Sequence, residues 1–244
     1  MLQLSKNQIK FIKSLHQKKY RQEHQMFILE GEKLVNEALR DKPSIVEYIV
    51  VRKSSSFSSR FPVKVFAVDD RVFNTLSTLS TPQDIMAICH FLPEEECSID
   101  LNNEFTFYLD RINDPGNLGT IIRICDWFGI RQIFCSPDTV ELYNPKTINA
   151  SKGSFLRVNV SYVEFEKIDS DKYPIYIADI EGEDVKTIKN KTGIVILGNE
   201  AQGISKEIKE SIKNKINIPK HFSSKAESLN VAMSAAIIAY EFSR

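Results

Sequence analysis

The sequence predicts an α/β protein in two parts, a small α/β domain over residues 1–92 and a larger α/β domain with a mostly parallel sheet over 105–244. Three observations predict it. Short apolar runs such as Val46-Glu-Tyr-Ile-Val-Val51 and Ile194-Val-Ile-Leu197 alternate with stretches that are apolar at helical spacing. Residues 93–104 are acidic, polar and without periodicity, which reads as an interdomain linker. The 244 residues are 42% hydrophobic, enough to build real cores.

Taken in order, Ser5-Lys-Asn-Gln8 has the spacing of a capping box and starts a helix carrying Ile9, Phe11, Ile12 and Leu15. Met26-Phe-Ile-Leu29 reads as a buried strand, and Gly31 turns the chain into a helix over 32–40 with Leu34, Val35, Ala38 and Leu39 on one face. Strands follow at 46–51, 63–68 and 85–89, with a helix carrying Val72, Phe73, Leu76 and Leu79 before the last of them. In the second part Phe105–Leu109 is a strand, 118–128 a helix ended by Gly129, and Ser151-Lys-Gly-Ser154 a small-residue turn. Tyr176–Ile180 and Ile194–Leu197 are further strands, and 206–213 is a charged helix leading to Ile216-Asn-Ile218. The chain closes on a helix from about Val231, so rich in Ala, Ile and Val that it is expected to be packed on nearly all sides.

Composition removes several function classes. The sequence has 32 basic and 32 acidic residues, so any attraction to a polyanion must come from local patches. One such patch is legible: Lys6, Lys10 and Lys13 share a helix face, and Lys18, Lys19 and Arg21 follow, a run that is most often a solvated face but is also what phosphate contacts require. Cys89, Cys97, Cys125 and Cys135 show no Cys-x-x-Cys spacing, so neither a metal site nor a disulfide framework is expected. No apolar run reaches membrane-spanning length and the first residues lack a signal-peptide core, so a cytoplasmic protein with no membrane partner is expected.

Three stretches carry chemistry. Asp110-Arg-Ile-Asn-Asp-Pro-Gly-Asn-Leu-Gly-Thr-Ile-Ile-Arg123 runs strand, turn, helix, with Gly116 and Gly119 allowing close backbone approach and Arg123 expected to be half-buried at its base. Val195-Ile-Leu-Gly-Asn-Glu-Ala-Gln-Gly-Ile-Ser205 imitates a phosphate loop but has Ile204 where the lysine belongs, so a nucleotide triphosphatase is a poor reading. Asn199 and Glu200 fit instead the ligand-binding edge of a parallel sheet, and Glu200 as a simple cap of the following helix is the other reading. Ser228-Leu-Asn-Val231 sets a hydroxyl and an amide at the start of the terminal helix, where a plain helix cap is the simpler reading of those residues alone.

Together, Asn117-x-Gly119-x-x-x-Arg123, Gly198-Asn-Glu-x-x-Gly203 and Ile218-Pro followed by Ser228-Leu-Asn-Val231 resemble the three motifs of the SpoU (TrmH) family of RNA ribose 2′-O-methyltransferases in the SPOUT superfamily. The first 90 or so residues resemble that family's N-terminal substrate-binding domain, similar to ribosomal RNA-binding proteins of the kink-turn type. The resemblance implies a SPOUT fold with a trefoil-knotted, mostly parallel sheet, S-adenosyl-L-methionine as cofactor, no metal, and a homodimer. It implies structured RNA as substrate, ribosomal RNA ahead of transfer RNA, and no DNA. It further implies a cofactor pocket at Leu197, Gly198, Asn199, Ile218 and Leu229, and a reaction centre at Asn117, Arg123, Glu200, Ser228 and Asn230. A guanidinium surrenders a proton reluctantly, so Arg123 is expected to anchor a phosphate or stabilise an alkoxide, with the base left open. Cys125 and Trp127 stand where the family carries small residues, and Met233-Ser234 replaces a smaller pair; both lie beside the motifs. The competing readings are a tRNA methyltransferase, a non-catalytic RNA-binding assembly factor, and a small-molecule α/β enzyme.

Overall fold

The structure is a computed structural model in which residues 2–93, 101, 104–169 and 172–244 are described. Apart from Pro93, Leu101 and Glu104, the linker expected at 93–104 lies outside the described residues, as does Cys97.

Helix α1 (Lys6–Ser14) begins with a closed capping box, because Gln8 N–H donates to the Ser5 hydroxyl (3.2 Å) and Ser5 N–H donates to Gln8 Oε1 (2.9 Å). There follow α2 (Lys18–His24), β1 (Met26–Glu30), α3 (Glu32–Asp41), β2 (Val46–Arg52), β3 (Lys64–Val68), α4 (Asp70–Leu76) and β4 (Ile85–His90). The four strands form one sheet in the order β1-β4-β2-β3, antiparallel at β1/β4 and β2/β4 and parallel at β2/β3. Strand β1 is buried along its whole length, including Glu30. That carboxylate is tolerated because it accepts the Thr78 N–H (2.7 Å) and the hydroxyls of Ser77 and Thr78.

The second half comprises β5 (Phe105–Asp110), α5 (Pro115–Trp127), β6 (Gln132–Cys135), α6 (Pro145–Ser151), β7 (Asn159–Tyr162), β8 (Ile175–Asp184), β9 (Gly193–Gly198), α7 (Lys206–Ser211), β10 (Lys215–Asn217) and α8 (Val231–Phe242). Its sheet has the order β10-β8-β9-β5-β6-β7, and every described pairing in it is parallel. The chain winds outward from β5 to β7 and then resumes on the other side at β8, so the strand order reverses beside β5. A crevice opens at the carboxyl ends of the strands at such a reversal. Helix α6 and strand β7 go beyond the sequence reading, which has only a turn at 151–154.

Gly119 sets the distance between α5 and α6. A Cβ there would lie 2.4 Å from the Thr147 carbonyl oxygen and 2.6 Å from Ala150 Cβ. Helix propensity alone favours Gly119→Ala by about 1 kcal/mol, but overpacking against backbone costs about 1–3 kcal/mol or more. A net loss of about 2 kcal/mol is expected, read as a Tm lower by roughly 4–8 °C in a thermal melt.

The two halves share one hydrophobic core, in which Phe27 of β1 meets Tyr143 (4.9 Å between centroids) and Phe155 (5.9 Å). Arg157 reinforces it, donating to Asp126 at the end of α5 (2.8 Å) and to Glu37 on α3 (2.5 Å). Burial pushes the Asp126 carboxyl up, but the bonds from Arg157 and Ser154 outweigh this and hold it below its ordinary value.

Helix α8 departs from the expectation of all-round packing. It buries Val231, Ala232, Ala235, Ile238, Ala239 and Phe242. On its other side Met233, Ile237 and Tyr240 are 54%, 38% and 49% exposed. The small Ala and Val residues, with Ile238 and Phe242, give one tight face against α5 and β9, and Met233, Ile237 and Tyr240 stand on the other.

Candidate active site

The pairing of β5 with β9 puts Leu109 beside Leu197 and Asp110 beside Gly198. The loops leaving these strands, 111–114 and 199–205, therefore start side by side at the carboxyl edge of the sheet. Arg111 stitches them together. Its backbone is left-handed (φ 58°), rare for a residue with a Cβ. Its N–H donates to Ser136 Oγ (2.8 Å) and its carbonyl accepts from Asn199 Nδ2 (2.8 Å). The guanidinium donates to Gln202 Oε1 (3.2 Å) and to the Gly203 carbonyl (3.3 Å). Buried Asp110 completes the clamp by accepting the Ser205 N–H (2.6 Å).

The second loop is a tight turn folded back on its own strand. Asn199 Oδ1 accepts the N–H groups of Ala201 (2.9 Å) and Gln202 (3.0 Å), so this side chain is consumed inside the loop. Its backbone is engaged as well, the N–H donating to the Gly203 carbonyl (3.1 Å) and the carbonyl accepting the Gly203 N–H (2.8 Å), so its part in the expected cofactor pocket is to shape the wall. At Gly198 a Cβ would lie 2.4 Å from the Ile204 nitrogen, which explains the glycine sterically rather than by phosphate binding.

This turn presents Glu200. Asn117, at the start of α5, donates from Nδ2 to Glu200 Oε1 (2.5 Å) and accepts at Oδ1 from Asn230 Nδ2 (3.0 Å). Asn230 is fixed in turn as the cap of α8, its Oδ1 accepting the N–H groups of Ala232 (2.9 Å) and Met233 (3.3 Å). The three sequence motifs thus meet in one hydrogen-bonded chain, Asn230–Asn117–Glu200.

Arg123 and Ser228 are outside that chain. Of α5, Leu118, Gly119, Ile121, Ile122 and Cys125 are buried, whereas Arg123, expected to be half-buried at its base, is exposed as a whole residue, one turn before Trp127, itself 83% exposed. Arg123 makes no hydrogen bond or ion pair within the described residues.

Beside Glu200 lies a cavity of about 520 Å³, in the range of roughly 300–1,000 Å³ common to small-molecule sites. Leu197, Gly198, Asn199, Ile218 and Leu229 line it, together with Glu200 and Ser228. So do Asp179, Ile180, Ile216, Lys220, His221 and Ile238, which the sequence reading leaves out. Asp179 and Ile180 were within reach of it, since they end a legible strand on the ligand-binding edge of the sheet. The segment 218–230 forms the cavity's opposite wall.

Of the basic set, Lys6, Lys10, Lys13, Lys18 and Lys19 are exposed. Arg21 is not, and the expectation of an RNA contact there is corrected. It is 3% exposed, with Nη1 donating to the carbonyls of Leu15 and His16 (2.8 Å each) and Nη2 to Glu141. The carbonyls at the C-terminal end of α1 and a carboxylate from the other half of the chain neutralise it, so it offers no charge to a polyanion. Among the described residues no cluster of His, Cys, Asp and Glu could hold a metal ion, and no helix is long and apolar enough to cross a membrane. Cys89, Cys125 and Cys135 are buried free thiols, each pushed well up in pKa by that burial.

Comparison with known proteins gives this geometry a context. Residues 104–240 match the profile of the SpoU rRNA Methylase family, and residues 6–87 match the MRM3-like substrate binding domain. The chain is 32% identical to the 23S rRNA (guanosine(2553)-2′-O)-methyltransferase RlmP of Bacillus subtilis, over 98% of this chain and 97% of that protein. Among solved structures it resembles an AdoMet-bound rRNA methyltransferase from Sinorhizobium meliloti, with a TM-score of 0.80 and 26% identity over 99% of this chain and 96% of the other. The SpoU methyltransferase AviRb from Streptomyces viridochromogenes, in complex with AdoMet, shares the fold with a TM-score of 0.85 at 20% identity, covering 98% and 97% of the two chains.

Proposed function

Because the chain belongs to the SpoU rRNA methylase family, we propose that it transfers a methyl group from S-adenosylmethionine to a ribose 2′-hydroxyl of ribosomal RNA. The observation that carries this reading is the chain Asn230–Asn117–Glu200 at the mouth of the cavity.

The cavity suits the cofactor. Leu197, Ile216, Ile218, Leu229 and Ile238 offer apolar walls for an adenine ring. The carboxylates of Glu200 and Glu227 also line it, and their charge complements a sulfonium, whereas that of Asp179 is paired with Lys209 (3.2 Å). Bound S-adenosylmethionine supplies a methyl group already activated by positive sulfur.

What the protein adds is orientation and removal of one proton. In this reading Asn117 has its amide fixed from both sides and orients the attacking hydroxyl, and the Glu200 carboxylate receives the proton. Ser228, on the cavity wall, completes the contacts to the ribose. Exposed Arg123 holds an RNA phosphate or the developing alkoxide. Residues 1–92 dock the RNA through Lys6, Lys10, Lys13, Lys18 and Lys19, and residues 105–244 carry out the transfer.

The same reading includes a homodimer, a knotted C-terminal segment and a cytoplasmic location. Trp127, Met233, Ile237 and Tyr240 expose large apolar side chains on the two packed helices α5 and α8, a surface suited to a second copy. Replacing Arg123 by Ala is expected to slow methyl transfer to ribosomal RNA at least about tenfold, with AdoMet affinity unchanged in a calorimetric titration. Wild-type turnover and RNA affinity in that variant would remove Arg123 from the site. Sedimentation of the wild type is expected to give twice the chain mass at micromolar concentration.

A further inference from the structure

The wall of the cavity formed by residues 218–230 carries a feature that the reaction centre does not use. At its tip Phe222 is 94% exposed. The tip is built rather than loose. Ser224 N–H donates to the His221 carbonyl (2.9 Å), closing a turn with Phe222 at its second position. Ser223 bonds His221 Nδ1 through its hydroxyl (2.8 Å), and the His221 ring lies 4.4 Å from that of Phe222. An aromatic ring held in place before binding pays little ordering cost when something stacks on it.

Cations bracket Phe222 along the segment. Lys220 donates only to the Ala226 carbonyl (3.2 Å), and Lys225 forms no ion pair among the described residues. Lys220, His221 and Ser224 line the cavity, whereas Phe222 does not. The ring therefore stands at the rim and not over the cofactor.

We propose that Phe222 stacks on an unpaired base of the RNA substrate beside the methylated ribose, with Lys220 and Lys225 taking the flanking phosphates. This rests on the function proposed above and adds that the target nucleotide lies in a loop, bulge or other unstacked segment. Sequence-specific RNA recognition uses such segments because their freed bases stack on aromatic side chains, and cations beside an aromatic platform follow the backbone. A second copy of the chain is a poorer occupant, since two lysines without counter-charges would enter its interface.

The test uses the full chain and ribosomal RNA from source cells lacking the gene. Phe222→Ala is expected to raise the RNA KM and Kd about tenfold, the scale of one lost base–aromatic stack. AdoMet affinity, kcat at saturating RNA and the sedimenting mass should stay unchanged, and Phe222→Trp should restore RNA affinity. The salt slope of binding should be unaltered by Phe222→Ala and reduced by about 1 in Lys225→Ala. An RNA KM unaltered by Phe222→Ala, or a loss of dimer mass or AdoMet affinity in its place, overturns the proposal while leaving the methyltransferase reading intact. A wild-type protein that methylates no ribosomal RNA overturns both.

Discussion

Asn117→Ala lowers kcat for methyl transfer by about 100-fold or more, the cost of one pre-organised hydrogen-bonding group in a reaction centre. The reason is its place in the chain of contacts. Glu200 arrives from β9, Asn230 from the cap of α8 and Asn117 from the start of α5, and the single amide of Asn117 joins the other two. Its removal leaves Glu200 on a turn with nothing to aim it. Asn117 does not line the cavity and is only half-buried. AdoMet affinity and Tm should therefore remain near wild type, separating a loss of chemistry from a loss of fold. A parallel fall in cofactor affinity would mean that the contact shapes the pocket instead.

Arg21→Ala is expected to destabilise the protein by about 3–5 kcal/mol, because it strands the nearly buried carboxylate of Glu141 and uncaps the end of α1. A melt should show Tm lower by roughly 10 °C. At a temperature where the variant is folded, its RNA binding should keep the wild-type salt slope, whereas loss of a phosphate contact would lower the slope by about 1. The two readings of Arg21, interdomain tie and RNA contact, thus give opposite results in one pair of measurements.

Arg21 also shows where a sequence stops being informative. Its neighbours Lys18 and Lys19 are exposed as expected, but its burial depends on Glu141, 120 residues away. Most strands of both sheets, though not the partly exposed β7, were legible because apolar runs such as Val46–Val51 and Ile194–Leu197 are local signals, and the Ser5/Gln8 capping box is local too. Helix α6 was not, since its seven residues are too few to display a period. In the site, Asn117, Glu200 and Asn230 stood out because each lies in a compact motif. The Asp110–Arg111 clamp did not, for a left-handed arginine carries no mark in the sequence and its partners Gln202 and Gly203 are about 90 residues away. The exposure of Arg123 as a whole was not legible, because the apolar residues around it report the buried side of α5.

The central claim is methyl transfer to a ribose of ribosomal RNA. Purified protein incubated with methyl-labelled S-adenosylmethionine and ribosomal RNA from source cells lacking the gene tests it directly. The account predicts label at one nucleotide, in a linkage resistant to alkaline cleavage because the 2′-oxygen is capped. Label on a base, in alkali-sensitive linkages, or in transfer RNA alone would contradict it.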